Sequence, residues 1–221
     1  MKRFGFTIAE VLITLGIIGV VAAITIPTLI QKQREKAFHT AWKKTYAVMS
    51  NAILLTAQDY GGSFSGAFAS NKTNTELRDA ILKHVQYIKS CKETVKDGCW
   101  HTPENWWQLS GHAAPVTNAS KEKFPAAILK DGTLIQFAYI SSPVDCNNNE
   151  ALTHADVDIN GFKKPNVIGK DIYRFNILCN GSISPAGVKG DYYDTNAQMG
   201  CDLTANKIVR GFGCSAKYLS E

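Results

Sequence analysis

The sequence predicts an α+β protein, in which a long N-terminal helix packs on a small antiparallel sheet with disulfide-bonded loops. Three observations predict this class. An apolar run of membrane length opens the chain at 6–30, an amphipathic helical pattern continues it over 31–60, and short strand-like segments alternate with turn residues further on. The chain has 221 residues, so 61–221 is long enough to form one globular domain around a single core.

The apolar run from Phe6 to Ile30 contains a single formal charge, Glu10. At about 1.5 Å per residue, the run exceeds a bilayer hydrocarbon core of about 30 Å, so a helix of this length can span a membrane. An acid inside the bilayer is unfavourable and usually serves a function. A secretory signal does not fit, because the small-residue junction Gly5-Phe6 precedes the apolar run instead of following it. Cleavage there would remove a leader, 1–5, and keep the apolar segment.

These residues resemble the processing signature of type IV pilins and of the pseudopilins of type II secretion. The resemblance implies cleavage between Gly5 and Phe6 by a prepilin peptidase and N-methylation of Phe6. It also implies an assembly role for Glu10, which becomes mature residue five, and for Pro27, which becomes mature residue twenty-two. The commonest family pattern is Thr-Leu-Ile-Glu-Leu, and this chain has the conservative variant Thr-Ile-Ala-Glu-Val at 7–11.

The family implies a type IV pilin-like fold and a structural, non-enzymatic role. The expected function is that of a subunit of a type IV pilus-like filament that polymerises through the N-terminal helix. The alternatives are a pseudopilin of a type II secretion system and a minor tip or DNA-uptake pilin. Expected partners are other pilin subunits, the prepilin peptidase and an inner-membrane assembly platform. The expected location is the inner membrane, single-pass with an exported C-terminal domain, followed by an extracellular or periplasmic filament.

Physical chemistry gives Glu10 and Pro27 separate roles. Cleavage creates a positive amine at Phe6, and in a filament this amine can meet the Glu10 carboxylate of a neighbouring subunit. A pair of opposite charges in a low dielectric is favoured over two unpaired charges, so the acid sets the register between subunits. Pro27 lacks a backbone donor and clashes with the preceding turn, which predicts a kinked or loosened helix around 23–27.

The flanking charges conflict with this topology. Basic residues after the apolar run outnumber the two in the leader, Lys2 and Arg3, and the positive-inside rule alone would leave the long part of the chain in the cytoplasm. The six cysteines and the leader motif favour an exported domain, and we follow them.

The segment 31–60 shows a helical stripe of apolar side chains. Core packing against a sheet is the favoured interpretation and a partner-binding face is the alternative. We expect the helix to end near Asp59, before Gly61 and Gly62. The stripe consists of Phe38, Trp42, Tyr46, Met49, Ile53 and Tyr60.

Local patterns predict the elements of the globular domain. Thr75 begins a short helix that runs to about Lys89. Segments 124–129 and 133–140 flank a Lys-Asp-Gly turn and predict a hairpin. Further strands are expected at 153–159 and 172–179, which together give an antiparallel meander.

Six cysteines in an exported domain favour three disulfides, for which fifteen connectivities exist. Proximity along the chain suggests pairs between the first two and the last two, which leaves the middle two for each other. A zinc site at Cys99, His101 and His112 is a competing idea, but its spacing matches no standard pattern. The six are Cys91, Cys99, Cys146, Cys179, Cys201 and Cys214.

No cofactor is expected, although a calcium site is an open alternative. Asp156, Asp158 and Asn160 followed by Gly161 resemble the opening of a calcium loop, but Val167 stands where the twelfth-position acid should be. The favoured interpretation is a strand end and an Asn-Gly turn, with both carboxylates solvated on one strand face.

Three of the four tryptophans lie within 100–107. Exposed, they could stack on sugar rings or single-stranded bases and serve adhesion. If they are buried, they form part of the core of a small domain, which is the favoured interpretation because tryptophan is highly buried on average.

The formal net charge of +5 is too small to indicate nucleic-acid binding by itself, so such a partner is not expected. The hydrolase, phosphate-loop and metalloprotease motifs are absent from the sequence, and we expect no enzyme.

Overall fold

The described part of the chain forms one long helix, a six-stranded sheet and three short helices. The computed structural model describes residues 5, 7–68, 75–102, 105, 107–112, 124–138, 140, 146, 150–202 and 208–220. The chain divides into two compact units, Met1–Ala37 and Phe38–Glu221.

Helix α1 spans Ile8–Asp59, so the predicted end of the first helix is confirmed. The helix continues through Pro27, so the kink or loosening predicted around 23–27 does not interrupt it. A proline removes only its own backbone donor, and the flanking turns keep theirs. The helix ends where Gly61 and Gly62 adopt positive φ values of 81° and 91°. Here the Gly62 N–H donates to the Ala57 carbonyl at 2.7 Å, which satisfies one carbonyl of the last turn.

The apolar stripe of α1 after residue 37 belongs to the core of the second unit. Trp42, Met49 and Ile53 are fully buried, and the Trp42 ring stacks on Tyr173 of the sheet with centroids 4.8 Å apart. The core interpretation is confirmed for these three residues, but it does not hold for Tyr60 of the predicted stripe. Tyr60 lies past the helix end and is 43% exposed.

The sheet is an antiparallel meander with the order β1-β2-β3-β4-β5-β6, so each strand pairs with its neighbours in the chain. The predicted hairpin at 124–140 and the strands at 153–159 and 172–179 are confirmed as β2 to β5. The strands are β1 Tyr87–Cys91, β2 Ala126–Leu129, β3 Leu134–Phe137, β4 Ala151–Asp158, β5 Ile172–Leu178 and β6 Ile183–Pro185.

The helix predicted from Thr75 to about Lys89 is wrong in its second half. Helix α2 covers Thr75–Leu82, and the next element is strand β1. In β1, Lys89 pairs with Ile128 of β2, so sheet pairing overrides the helical spacing of the sequence. Ile88 is 68% exposed in this edge strand.

The two faces of the sheet carry different layers, because side chains alternate along each strand. One face packs on the second part of α1 through a large apolar cluster that includes Ile135, Val157 and Phe175. The opposite face packs on loops through a smaller cluster that includes Trp100, Leu134, Ile168, Ile172, Ala186 and Phe212. On this second face the alternation also places Asp156 and Asp158 of β4, which are both buried.

The C-terminal region adds two short helices, α3 Tyr192–Thr195 and α4 Cys214–Ser220. Helix α4 lies beside α1, where the Trp42 Nε1–H donates to the Ser215 carbonyl at 2.9 Å and the His39 ring stacks on Tyr218 at 3.9 Å. Three disulfides join Cys91–Cys99, Cys146–Cys179 and Cys201–Cys214, the pairs that chain proximity suggested.

Candidate functional site

The first candidate site is the N-terminal part of α1, which belongs to the first unit. All described residues from Thr7 to Ile30 are exposed except Ala22, which is partly exposed. Within the described residues, α1 is the one helix that is long and apolar enough to span a membrane, with a mean hydropathy of 2.4 in its most apolar stretch. Water disfavours a continuous apolar surface of this kind, so the segment is suited to an apolar environment.

Glu10 is engaged at the start of the helix by Thr7. Its Oε2 atom accepts hydrogen bonds from the Thr7 backbone N–H at 2.8 Å and from the Thr7 hydroxyl at 2.9 Å. The Glu10 N–H in turn donates to the Thr7 hydroxyl at 3.2 Å. This reciprocal arrangement is a capping box, in which the threonine precedes the helix and the acid closes its first turn. The second carboxylate oxygen, Oε1, has no partner among the described residues.

Other expectations for this segment fall partly outside the described residues. Gly5 is described and exposed, whereas Phe6, the predicted site of cleavage and methylation, lies outside the described residues, as do Lys2 and Arg3. Pro27 lies inside α1. Nearby, the Thr25 hydroxyl donates to the Val21 carbonyl at 2.9 Å, so this polar side chain is satisfied within its own helix.

The second candidate site is the buried polar layer on the second face of the sheet, where the calcium residues were predicted. The expected solvated carboxylates are not observed, because Asp156 and Asp158 are 3% and 0% exposed. Asp156 accepts two hydrogen bonds from the Arg174 guanidinium at 2.6 and 2.8 Å, and a third from Gln136 Nε2 at 3.1 Å. Register explains this contact, because Gln136, Asp156 and Arg174 are direct cross-strand neighbours. The cation that neutralises Asp156 is therefore the Arg174 side chain of the protein itself.

Asp158 lies in a more apolar position of the same layer. Its cross-strand neighbours are Leu134 and Ile172, and its polar partners are His101 Nε2 at 2.8 Å and the Asn160 N–H at 3.1 Å. Burial, together with the nearby Asp171 charge, raises the pKa of Asp158 to about 7, although the His101 contact opposes the shift. The carboxyl group therefore changes protonation near neutrality.

Asp171 holds the loop that follows β4. Its two carboxylate oxygens accept the backbone N–H groups of Asn166 at 2.8 Å and Val167 at 2.6 Å. Burial raises the pKa of Asp171, and these backbone hydrogen bonds counteract the rise. The third predicted calcium residue, Asn160, has its side-chain oxygen buried and without a partner among the described residues. The described residues contain no group of three His, Cys, Asp or Glu side chains arranged to hold a metal ion.

The predicted alternative of a zinc site lacks a sulfur ligand in the structure. Cys99 is bonded to Cys91, so it offers no thiolate. His101 instead contacts Asp158, and His112 Nδ1 lies 3.1 Å from the Ser110 hydroxyl in a separate turn.

The described tryptophans of 100–107 differ in exposure, so one fits the buried interpretation and one fits the exposed interpretation. Trp100 is 4% exposed and belongs to the apolar cluster of the second face, as the buried interpretation predicts. Trp107 is 41% exposed, so the buried interpretation is wrong at this position. Trp106 lies outside the described residues.

Sequence reasoning missed two residues that the structure makes important. One is Thr7, which the spacing Thr-x-x-Glu before an apolar run could have identified as a capping residue. Arg174 gave no local signal, because its partner Asp156 is eighteen positions away in the chain.

Comparison with known proteins adds no relative: no protein-family model, curated protein or solved structure matches this chain.

Proposed function

We propose that this chain is a structural subunit of a type IV pilus-like filament, anchored in a membrane and polymerised through the N-terminal part of α1. The observation that carries the proposal is an exposed apolar helix of membrane length with one acid, Glu10, in its first turn. A simple membrane anchor needs no acid there, and it needs no Gly5-Phe6 junction directly before the helix.

The chemistry of the capping box supports a pairing role for the acid. Thr7 satisfies Oε2 of Glu10, and Oε1 remains available to a further donor. Cleavage after Gly5 would place a new ammonium group on Phe6, one residue before Thr7 in the chain. In stacked subunits, this ammonium group of one helix supplies the donor for Glu10 of the next, and the low dielectric favours the pair over separated charges.

The proposal includes a sequence of partners. A prepilin peptidase removes residues 1–5 and methylates Phe6, and an inner-membrane assembly platform then moves the subunit into the filament. The second unit, Phe38–Glu221, lies outside the membrane in this scheme, where an oxidising compartment supports its three disulfides.

Intact-mass analysis and N-terminal sequencing of the protein from its native membrane test the processing step. The expected chain begins at a methylated Phe6. A chain that still begins at Met1 contradicts the proposal, and so does a chain that begins after Ile30, which would identify the apolar run as a cleaved secretory signal.

Replacement of the acid tests assembly. We expect Glu10→Gln to abolish filaments seen by electron microscopy while the protein remains in the membrane, because the amide carries no charge to neutralise the ammonium group in a low dielectric. Glu35→Gln is the matched control, since Glu35 lies on the same helix beyond the apolar run and only accepts a hydrogen bond from Gln31 at 3.3 Å. Filaments of normal number with Glu10→Gln would overturn the proposal.

The same experiments separate the alternative filament types. Surface filaments that disappear on deletion indicate a pilus, whereas exoprotein that accumulates in the periplasm indicates a secretion pseudopilus. Salt-sensitive DNA binding would instead indicate a DNA-uptake pilin.

A further inference from the structure

Two loop segments that are distant in the sequence form one surface in the second unit. The Trp107 N–H donates to the Asn166 carbonyl at 2.8 Å, and the Ile168 N–H donates back to the Trp107 carbonyl at 2.9 Å. The Asn166 side chain also donates to the Asn105 carbonyl at 2.9 Å. These contacts join the turn at 107–112 to the loop at 159–170.

This surface exposes two aromatic rings. Trp107 is 41% exposed and Phe162 is 53% exposed. The Phe162 ring makes an edge contact with His101, whose centroid is 5.4 Å away, and His101 is itself fixed to Asp158 beneath the loop. Large exposed rings that are held by buried polar groups are suited to stacking on a ligand.

Cations lie on the loop that carries Phe162 and on a segment hydrogen-bonded to the turn that carries Trp107. Lys163, Lys164 and Lys170 are exposed, and Arg210 is half-buried where its carbonyl accepts the Leu109 N–H. Within the described residues of 105–112, 159–170 and 208–210, there is no Asp or Glu. We call these rings and cations the aromatic–lysine surface. The charge of its described residues is positive, which favours an anionic ligand.

The loop that carries most of this surface is fixed from below. Asp171 accepts two backbone N–H groups of the loop, and Asp158 accepts a third from Asn160. Both acids are fully buried, so they shape the loop without presenting negative charge to a ligand. A surface ordered in advance loses little conformational entropy when it binds.

We propose that the aromatic–lysine surface binds an acidic polysaccharide, with the rings against sugar faces and the lysines paired with uronate carboxylates. Polar groups beside Trp107 favour this ligand over a single-stranded nucleic acid. Asn105 and His112 are exposed and Ser110 is half-buried beside His112, and all three belong to the same segment as Trp107, 105–112, so they can offer hydrogen-bond partners to sugar hydroxyls. Single-strand binding instead uses a groove that tracks a phosphate backbone past successive stacked bases.

The test is a direct binding measurement with the full chain in detergent micelles, which needs no filament. The probes are hyaluronate oligosaccharides, neutral dextran of similar length and poly(dT). We expect hyaluronate to bind, its affinity to fall as salt is raised, and dextran to bind at least about tenfold more weakly because it lacks the charge. Equal binding of dextran would overturn the proposal, and so would tighter binding of poly(dT).

Two sets of variants locate the binding. We expect Phe162→Ala, and separately the double substitution Lys163→Gln/Lys164→Gln, each to weaken hyaluronate binding at least about fivefold, by loss of stacking or of charge. The matched controls are Tyr192→Ala, which removes another exposed ring, and Lys83→Gln/Lys92→Gln, which removes the same charge elsewhere. Controls that weaken binding as much as the test variants would overturn the assignment to this surface.

Discussion

Arg174 and Asp156 form a two-point ion pair between neighbouring strands, with Nε 2.6 Å from one carboxylate oxygen and a terminal nitrogen 2.8 Å from the other. The same guanidinium lies over the Phe212 ring at 3.7 Å from its centroid. Phe212 precedes α4, so this one side chain of β5 holds both an acid of the sheet and the C-terminal loop. The pair therefore organises the second face of the sheet.

Removal of one partner of this pair should destabilise the second unit strongly. We expect Arg174→Met to lower the free energy of unfolding by about 3–5 kcal/mol, because it leaves the Asp156 carboxylate buried without its cation. The measurement is urea unfolding followed by near-ultraviolet circular dichroism. Lys44→Gln is the control, since the Lys44–Asp131 pair is exposed and should contribute less than about 1 kcal/mol. Equal effects of the two variants would contradict the prediction.

Asp158 should make the stability depend on pH. Its pKa is raised to about 7, so the folded protein holds this proton more tightly than the unfolded chain does. Unfolding between about pH 4 and pH 7 releases the proton, and the free energy of unfolding therefore falls as the pH rises through this window, by at most about 1.4 kcal/mol per pH unit. The facing groups are His101, Asp171 and the Arg174–Asp156 pair.

Urea unfolding at several pH values between 4.5 and 7.5 measures this dependence. We expect Asp158→Asn to reduce the slope but not remove it, because burial raises the pKa of Asp171 in the same direction. An unchanged slope in the variant would show that other groups cause the dependence.

Gly181 should not tolerate a side chain. It has a positive φ of 77°, and a Cβ atom there would lie 2.2 Å from the Ala57 Cβ on α1. Gly190 has a similar φ of 90° but open space around it. We expect Gly190→Ala to cost about 1–2 kcal/mol from backbone strain alone, and Gly181→Ala to cost clearly more in the same unfolding experiment. Similar costs would mean that the β5–β6 turn moves away from α1 without penalty.

Thr7 should assist the acid in the N-terminal segment. We expect Thr7→Val to reduce filament number less than Glu10→Gln does, because the Thr7 backbone N–H remains bonded to the carboxylate when the hydroxyl is lost. Filaments counted by electron microscopy provide the measurement. Thr14→Val is the matched control, since the Thr14 hydroxyl donates only to the Val11 carbonyl of its own helix. An effect of Thr14→Val as large as that of Thr7→Val would contradict the role of the capping box.

The parts of the fold that depend on local pattern could be predicted from the sequence. The helix end before Gly61, the Lys-Asp-Gly hairpin and the strand around Val157 follow from spacing and turn residues that lie close together in the chain. Strand β1 could not be predicted, because its conformation depends on pairing with β2 more than thirty residues later. Local spacing around Ile88 favours a helix instead.

The burial of the polar layer on the second face of the sheet could not be predicted from the sequence, for a related reason. Asp156 and Asp158 have the alternation of a strand with a solvated face, but loop residues such as Trp100, Ile168 and Phe212 pack on that face. Whether an acid is solvated depends on what lies above it, and those covering residues come from other parts of the chain. Only the contacts with Arg174 and His101 reveal the environment of each carboxylate.

The contacts of Ser215 should form late in the folding of the second unit. Its carbonyl accepts the Trp42 indole N–H, and its hydroxyl accepts the Arg174 backbone N–H. This serine is synthesised after all six strands, so the strands of a nascent chain can pair while the Trp42 indole on α1 still lacks its acceptor. Chains truncated before α4 should consequently collapse into loosely packed species that proteases recognise.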